Sequence, residues 1–293
     1  MRGTTKKEAF QHYLDGERLF SVVSKSDMKK SRDKFRLATE IDPKFARAWG
    51  WRSYAHVRSV LRKWLPERAM TDAREWAERA VTLAPLDYAT HWDLGFYHLN
   101  AKEFGDATDR YERGIELFDN GTDQLDRKPG ILAEAAEAYI HTGNSERAIE
   151  LLERAVRIPD WYRWNLGWAY YQAKRYDEAL AVLRSIRSRP GDRSYVPEIA
   201  LFIIAANYRK AMSSRAEGHR EAAAAHMDSA VAAMQIFREE NPDFALEDAV
   251  AHRSRFQSKA DEDHWIEPLR NLWNQCGPGA ALPRRPRKPK TSP

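Results

Sequence analysis

Nine histidines and one cysteine are the side chains best able to carry chemistry, and their spacing offers little for it. His12, His56, His91, His98 and His141 lie far apart in the chain, none opens an H-E-x-x-H helix, and none pairs with Cys276. No metal site is expected from such a scatter. Asp261, Glu262, Asp263 and His264 group ligand-type residues, but they precede an amphipathic stretch. Acidic side chains there favour the positive end of a helix, and capping accounts for them. No G-x-x-x-x-G-K-[ST] or G-x-G-x-x-G loop occurs to cradle a phosphate. Cys276 stands beside Gly277 and Pro278, and sequence identifies no basic partner to activate it. The chain reads as non-catalytic and without a cofactor.

The elements that carry these residues repeat. Leu166, Gly167 and Tyr170 form L-G-x₂-Y, followed by Ala179 and Leu183 as A-x₃-Φ, where Φ is a large apolar residue. Leu94-Gly95 with Ala107 and Tyr111 make a copy over about 88–121, and Ala135-Ala136, Tyr139, Ala148, Leu152 and Ala155 another over 129–159. Ile204-Ala205 and Tyr208 begin a later hairpin that closes with Ala230, Met234, Phe237 and Pro242. Upstream, Trp49 opens a hairpin closed by Ala73, Ala77, Ala80 and Pro85, and Ser31, Phe35, Ala38 and Pro43 end the first. Small residues at Gly167 and Ala179 let two helices approach, while Leu166, Tyr170 and Leu183 fill the space between them. The prolines at 43, 85 and 242 stop each second helix.

On these motifs the chain resembles the tetratricopeptide-repeat family over about residues 12–242. The resemblance implies an all-α, right-handed superhelix (α-solenoid) of six helical hairpins, whose first helices line a groove that binds peptides or proteins. Extra residues around Leu65-Pro66, at 120–128 and at 213–220 interrupt strict spacing, and the last is expected to form a long connection. Residues 241–279 resemble the end of tetratricopeptide regions attached to some bacterial adenylate cyclases, which implies two short capping helices and no cyclase activity. Trp265, Leu269, Leu272 and Trp273 give the amphipathic strip such a cap needs, and Pro268 fits it only in a first helical turn. The expected organisation is repeats over 1–242, a cap over 243–279 and a disordered tail over 280–293.

The aromatic residues depart from the repeat pattern. The signature places Trp three residues before Leu-Gly, but His91 and Arg163 stand there, with Trp92 and Trp164 one step later. One step turns a side chain by about 100°, so both tryptophans are expected to rotate away from their own second helix towards the groove. Trp161, Trp164, Trp168 and Tyr171 form one stripe, joined by Trp92 and Phe96 on the third hairpin, Trp51 and Tyr54 on the second, and Phe202 on the sixth. A partly exposed stripe of this kind marks a binding surface. It predicts an apolar or amphipathic partner segment, with Arg47 and Arg58 engaging its acidic portion. The competing expectation is that the stripe is core, or that the C-terminal segment folds back and fills the groove.

Charge narrows the partners. Arg284, Arg285, Arg287, Lys288 and Lys290 supply five positive charges, equal to the net charge of +5, so residues 1–282 are formally neutral. Duplex binding through the body is thereby disfavoured. Nucleic acid would engage the tail, with groove aromatics stacking on unpaired bases. A ligand- or peptide-responsive sensor is a further alternative, and self-association through terminal hairpins fits all three. No apolar run approaches the ~20 residues that cross a membrane. The N-terminus lacks a signal-peptide centre, and one cysteine suits a reducing cytoplasm, so a cytoplasmic location is expected.

Overall fold

The computed structural model describes residues 3–21, 24–120, 130–155, 160–186, 196–247 and 258–276. The basic tail and most of the insertion at 120–128 lie outside these residues. The described residues form thirteen α-helices and no strand: α1 (Lys7–Phe20), α2 (Lys25–Ile41), α3 (Ala46–Leu61), α4 (Ala69–Leu83), α5 (Tyr88–Asn100), α6 (Phe104–Asn120), α7 (Gly130–His141), α8 (Ser145–Arg154), α9 (Asp160–Gln172), α10 (Tyr176–Ser185), α11 (Val196–Ala216), α12 (Arg220–Glu240) and α13 (Lys259–Gln275). They are an all-α solenoid type of structure, in which α1–α2, α3–α4, α5–α6, α9–α10 and α11–α12 pair as hairpins and α13 packs on α11. The chain divides into two compact units, Met1–Ala138 and Tyr139–Pro293.

One turn closes the hairpins in both units. Lys63, Lys102 and Lys174 adopt φ of 55°, 65° and 61°, and Gly143 and Gly218 adopt 80° and 83°. Each of these five left-handed residues donates its N–H three residues back, as Lys102 does to Leu99 at 3.2 Å, and the next residue donates five back, as Glu103 does to His98 at 2.9 Å. This paired bonding satisfies carbonyls that the first helix leaves open at its end. Lysine accepts the left-handed conformation at a cost that glycine avoids.

In the first unit Phe35, Phe45, Ala38 and Tyr13 bury the α1–α2 hairpin against α3. Prolines 43 and 85 follow the ends of α2 and α4 by two residues, as a residue unable to continue a helix should. In the second unit a Cβ on Gly167 would lie 2.5 Å from Leu183 Cδ2, so hydrogen at this position is what lets α9 and α10 meet.

Two expectations change. Residues 213–216 are helical, and only Glu217, Gly218 and His219 separate α11 from α12. The extra residues lengthen both helices to 21 residues instead of forming a long connection. Of the two capping helices expected after Pro242, α13 is described, and residues 248–257 lie outside the description. Pro268 sits well inside α13 and not in its first turn.

Replacing Lys102, whose side chain is exposed, with Gly should raise stability by about 1 kcal/mol, because the left-handed strain is relieved. Urea unfolding of the full chain would read this as a higher midpoint at an unchanged slope; a lower midpoint would mean that the turn is not strained.

Candidate functional site

The expected aromatic stripe is present in both units, and in both it is mostly buried. In the first unit Phe35 stacks on Trp51 at 5.4 Å, Trp51 meets Phe20 edge-on at 5.2 Å, and Tyr54 stacks on Phe96 at 4.1 Å. Trp51 and Tyr54 are half-buried, whereas Trp92 and Phe96 are buried. Both Tyr54 and Trp92 aim their polar ends at one carboxylate. Tyr54 donates its hydroxyl to Glu134 Oε1 at 2.6 Å, and Trp92 donates Nε1–H to Glu134 Oε2 at 3.1 Å. Trp92 also packs against Tyr111 of α6 at 4.8 Å, so the expected rotation away from its own second helix does not occur.

The tryptophan shift has a chemical explanation. Trp49 donates Nε1–H to the Pro43 carbonyl, six residues back, at 3.0 Å. His91 contacts the Pro85 carbonyl, again six back, through Nε2 at 2.9 Å, which makes it the Nε2–H tautomer. Burial lowers the His91 pKa and favours that neutral donor. At two signature positions a ring N–H is aimed at the preceding turn, from indole in Trp49 and from imidazole in His91. The adjacent Trp92 is additional to that position.

Arg47 is committed elsewhere. Its guanidinium makes a two-point contact with Asp87, Nε to Oδ2 at 2.7 Å and Nη2 to Oδ1 at 3.2 Å. Asp87 caps α5 by accepting from the Ala89 N–H. Both side chains are largely buried, at 18% and 22% exposure. The expected role for Arg47 in engaging an acidic partner is thus taken by an internal ion pair. Arg58 is half-buried on α3.

In the second unit Trp164 stacks on Trp168 at 5.3 Å, and Phe202 of α11 touches both Trp168 and Tyr171 at 5.8 and 5.6 Å. The side chain of Trp161 lies outside the description. Trp168, Tyr171 and Phe202 are at most 2% exposed. The surface expected to be partly open is covered, because α13 lies on it. Trp265 packs on Phe202 at 5.6 Å, and the His264 ring packs on Tyr171 at 5.0 Å.

The joint between them follows from Pro268. Proline has no N–H, so the carbonyl four residues earlier loses its helical donor. That carbonyl belongs to His264. It accepts instead from the Tyr171 hydroxyl at 2.7 Å and from Arg209 through Nη2 at 2.7 Å and Nε at 3.2 Å. Arg209 also pairs with Glu267 at 3.1 Å. From the sequence, Pro268 fits α13 only in a first helical turn, and nothing in the sequence links it to Arg209. The signal left unread was that a mid-helix proline frees the carbonyl four residues before it.

Among the described residues, His98, Glu103 and Asp106 offer ligand atoms within 4.8 Å of one another. His98 Nδ1 lies 2.6 Å from Glu103 Oε2, and Arg74 lies 3.5 Å from the other oxygen of Glu103. A divalent ion there would have to compete with a guanidinium for its carboxylate.

Residues 130–159 and 162–193 each match a family model described as the tetratricopeptide repeat. The solved structures of similar fold include PilF of Pseudomonas aeruginosa, 14% identical, covering 82% of this chain and 96% of that one with a TM-score of 0.53. PilW, described as a widely conserved type IV pilus biogenesis factor, is 12% identical, covering 84% and 100% with a TM-score of 0.56. A thermophilic tetratricopeptide protein of Thermus thermophilus is 15% identical, covering 67% and 99% at 0.52. No curated protein matches the chain in sequence. The stretches 130–159 and 162–193 match tetratricopeptide repeats, and the fold of the chain is that of tetratricopeptide-repeat proteins. No helix among the described residues is long and apolar enough to cross a membrane.

Two outcomes test the joint. Tyr171→Phe should cost about 1 kcal/mol in the native chain and clearly less in a Pro268→Ala background, where residue 268 regains an N–H for the His264 carbonyl. Urea unfolding of the four proteins checks this, and strictly additive losses would mean that the carbonyl is not shared. His264 and His56 are both held neutral by burial and nearby arginines, their pKa values lowered to about 4 from 6.5. Between those values the unfolded chain binds more protons, so stability should fall as pH drops from 6.5 towards 4. His264→Gln should flatten part of that slope in unfolding midpoints measured across the window.

Proposed function

We propose that the protein is a non-catalytic protein-interaction scaffold whose aromatic stripe binds an amphipathic helical segment. The observation that carries this reading is the occupied stripe of the second unit. Phe202, Tyr171 and Arg209 hold a helix by its Trp265 side chain and its His264 carbonyl. The chemistry that seats α13 is also the chemistry that would seat a partner. The partner segment therefore carries a large aromatic residue, further apolar residues on the same face, and a proline three residues after the aromatic one. That proline releases the carbonyl that Tyr171 and Arg209 read. In the first unit the half-buried Trp51 and Tyr54, with Arg58 nearby in sequence, form the corresponding partner-facing surface, backed by Trp92 and Phe96.

A fluorescent synthetic peptide spanning residues 258–276 tests the reading against the full chain. Trp265→Ala in the chain removes a side chain that is 1% exposed and so weakens the internal α13. The peptide should bind this variant at least about tenfold more tightly than the native chain, because the internal competitor holds on less firmly. Adding Arg209→Gln to the variant should reduce that binding. No anisotropy change with any of the proteins would overturn the proposal.

A further inference from the structure

The first unit contains two half-buried arginines without an acidic partner. Arg32 of α2 donates Nη1–H to the Ser59 hydroxyl at 2.6 Å, and Arg52 of α3 donates Nη1–H to the Thr39 hydroxyl at 2.9 Å. Among the described residues no carboxylate reaches ion-pair distance of either. The Nε of Arg52 is buried without an acceptor. Arg47, of similar burial, shows the contrast, since its charge is met by a bidentate carboxylate.

Both arginines lie close enough to His56 of α3 to act on its ring, and their contacts reach α2, α3 and α4, a surface we call the furrow. Arg52 lies over the Trp76 ring of α4 at 4.0 Å and over Trp49 at 5.2 Å. Arg79 of α4 also lies over the Trp49 ring, at 4.4 Å. His56 sits one turn after Arg52 and one turn before Ser59, with its ring edge-on to Trp76 at 4.6 Å. Burial lowers the pKa of Arg32, opposed by Asp33; burial also lowers that of Arg52, opposed by Glu40 and aided by Arg36. The carboxylates near the cluster are Asp33, which is exposed, and Glu40, Asp72 and Glu75. Glu40 is taken by Arg36 through two contacts of 2.8 and 2.9 Å, and Asp72 and Glu75 are exposed on α4.

We propose that this furrow is a binding site for an anionic ligand whose phosphate or carboxylate groups accept hydrogen bonds from Arg32 and Arg52. Guanidinium forks match both oxyanions, and partial burial strengthens each bond relative to water. Stacking on Trp76 and Trp49 holds Arg52 in place before the ligand arrives, so little side-chain freedom is lost on binding. The ligand supplies the direct oxyanion contact that the neighbouring carboxylates do not make with either guanidinium.

The test uses the full chain at constant ionic strength, titrated in separate arms with pyrophosphate and with glutarate while the His56 ring and Trp76 indole signals are followed by NMR. Saturable shifts at both residues are expected in at least one arm, and the arm that responds assigns phosphate or carboxylate as the preferred group. Arg32→Gln, which in this structure gives up only a bond to the Ser59 hydroxyl, should weaken the response at least about tenfold, and Arg52→Gln should do the same. The His264 signals report an intact fold and should stay unmoved. An absence of saturable shifts in both arms would overturn the proposal, and so would equal shifts in the native chain and Arg32→Gln.

Discussion

Every hairpin turn after the first depends on one residue bent into the left-handed region. Without it the carbonyls at the end of each first helix would lose the two backbone partners that close the turn. Lysine occupies three of these five positions and glycine two. The chain therefore tolerates some backbone strain to secure the reversal. Once the reversal is made, the remaining requirement is close approach. Gly167 against Leu183 in the second unit and Gly16 against Phe35 in the first show how little room remains between paired helices.

The hairpins were legible in the sequence because both demands leave marks at fixed intervals. Small residues recur where helices touch, and proline follows the second helix. The length of α11 and α12 was not legible. Seven or eight extra residues read equally as loop or as helix until the position of Gly218 decides between them. Which residues share the stripe was also legible, since helical spacing places Trp164, Trp168 and Tyr171 on one face. Whether that face meets solvent was not, because its cover comes from residues some ninety positions later. Periodicity describes one helix at a time and carries no information about a distant one.

Polar side chains were the hardest to read. Arg47, Arg58 and Arg209 look alike as letters, yet Arg47 closes an ion pair with a helix cap and Arg209 holds a carbonyl that a proline has set free. A buried polar group is defined by its partner, and partners such as Asp87 and His264 lie 40 and 55 residues away. Glu134 shows the same from the acceptor side. Nothing in its sequence setting singles it out, yet two aromatic side chains on two other helices converge on its oxygens.

The exchange of Trp49 for His91 at equivalent points has a consequence for how such repeats can diverge. What these two hairpins share there is a ring N–H directed at a proline carbonyl six residues back. Either heterocycle meets that need, so the letter at the position is free to drift while the bond persists. Indole offers its hydrogen at any pH, whereas imidazole must hold one tautomer to do so. A lineage that adopts histidine there trades bulk for a donor whose orientation the surrounding atoms must enforce.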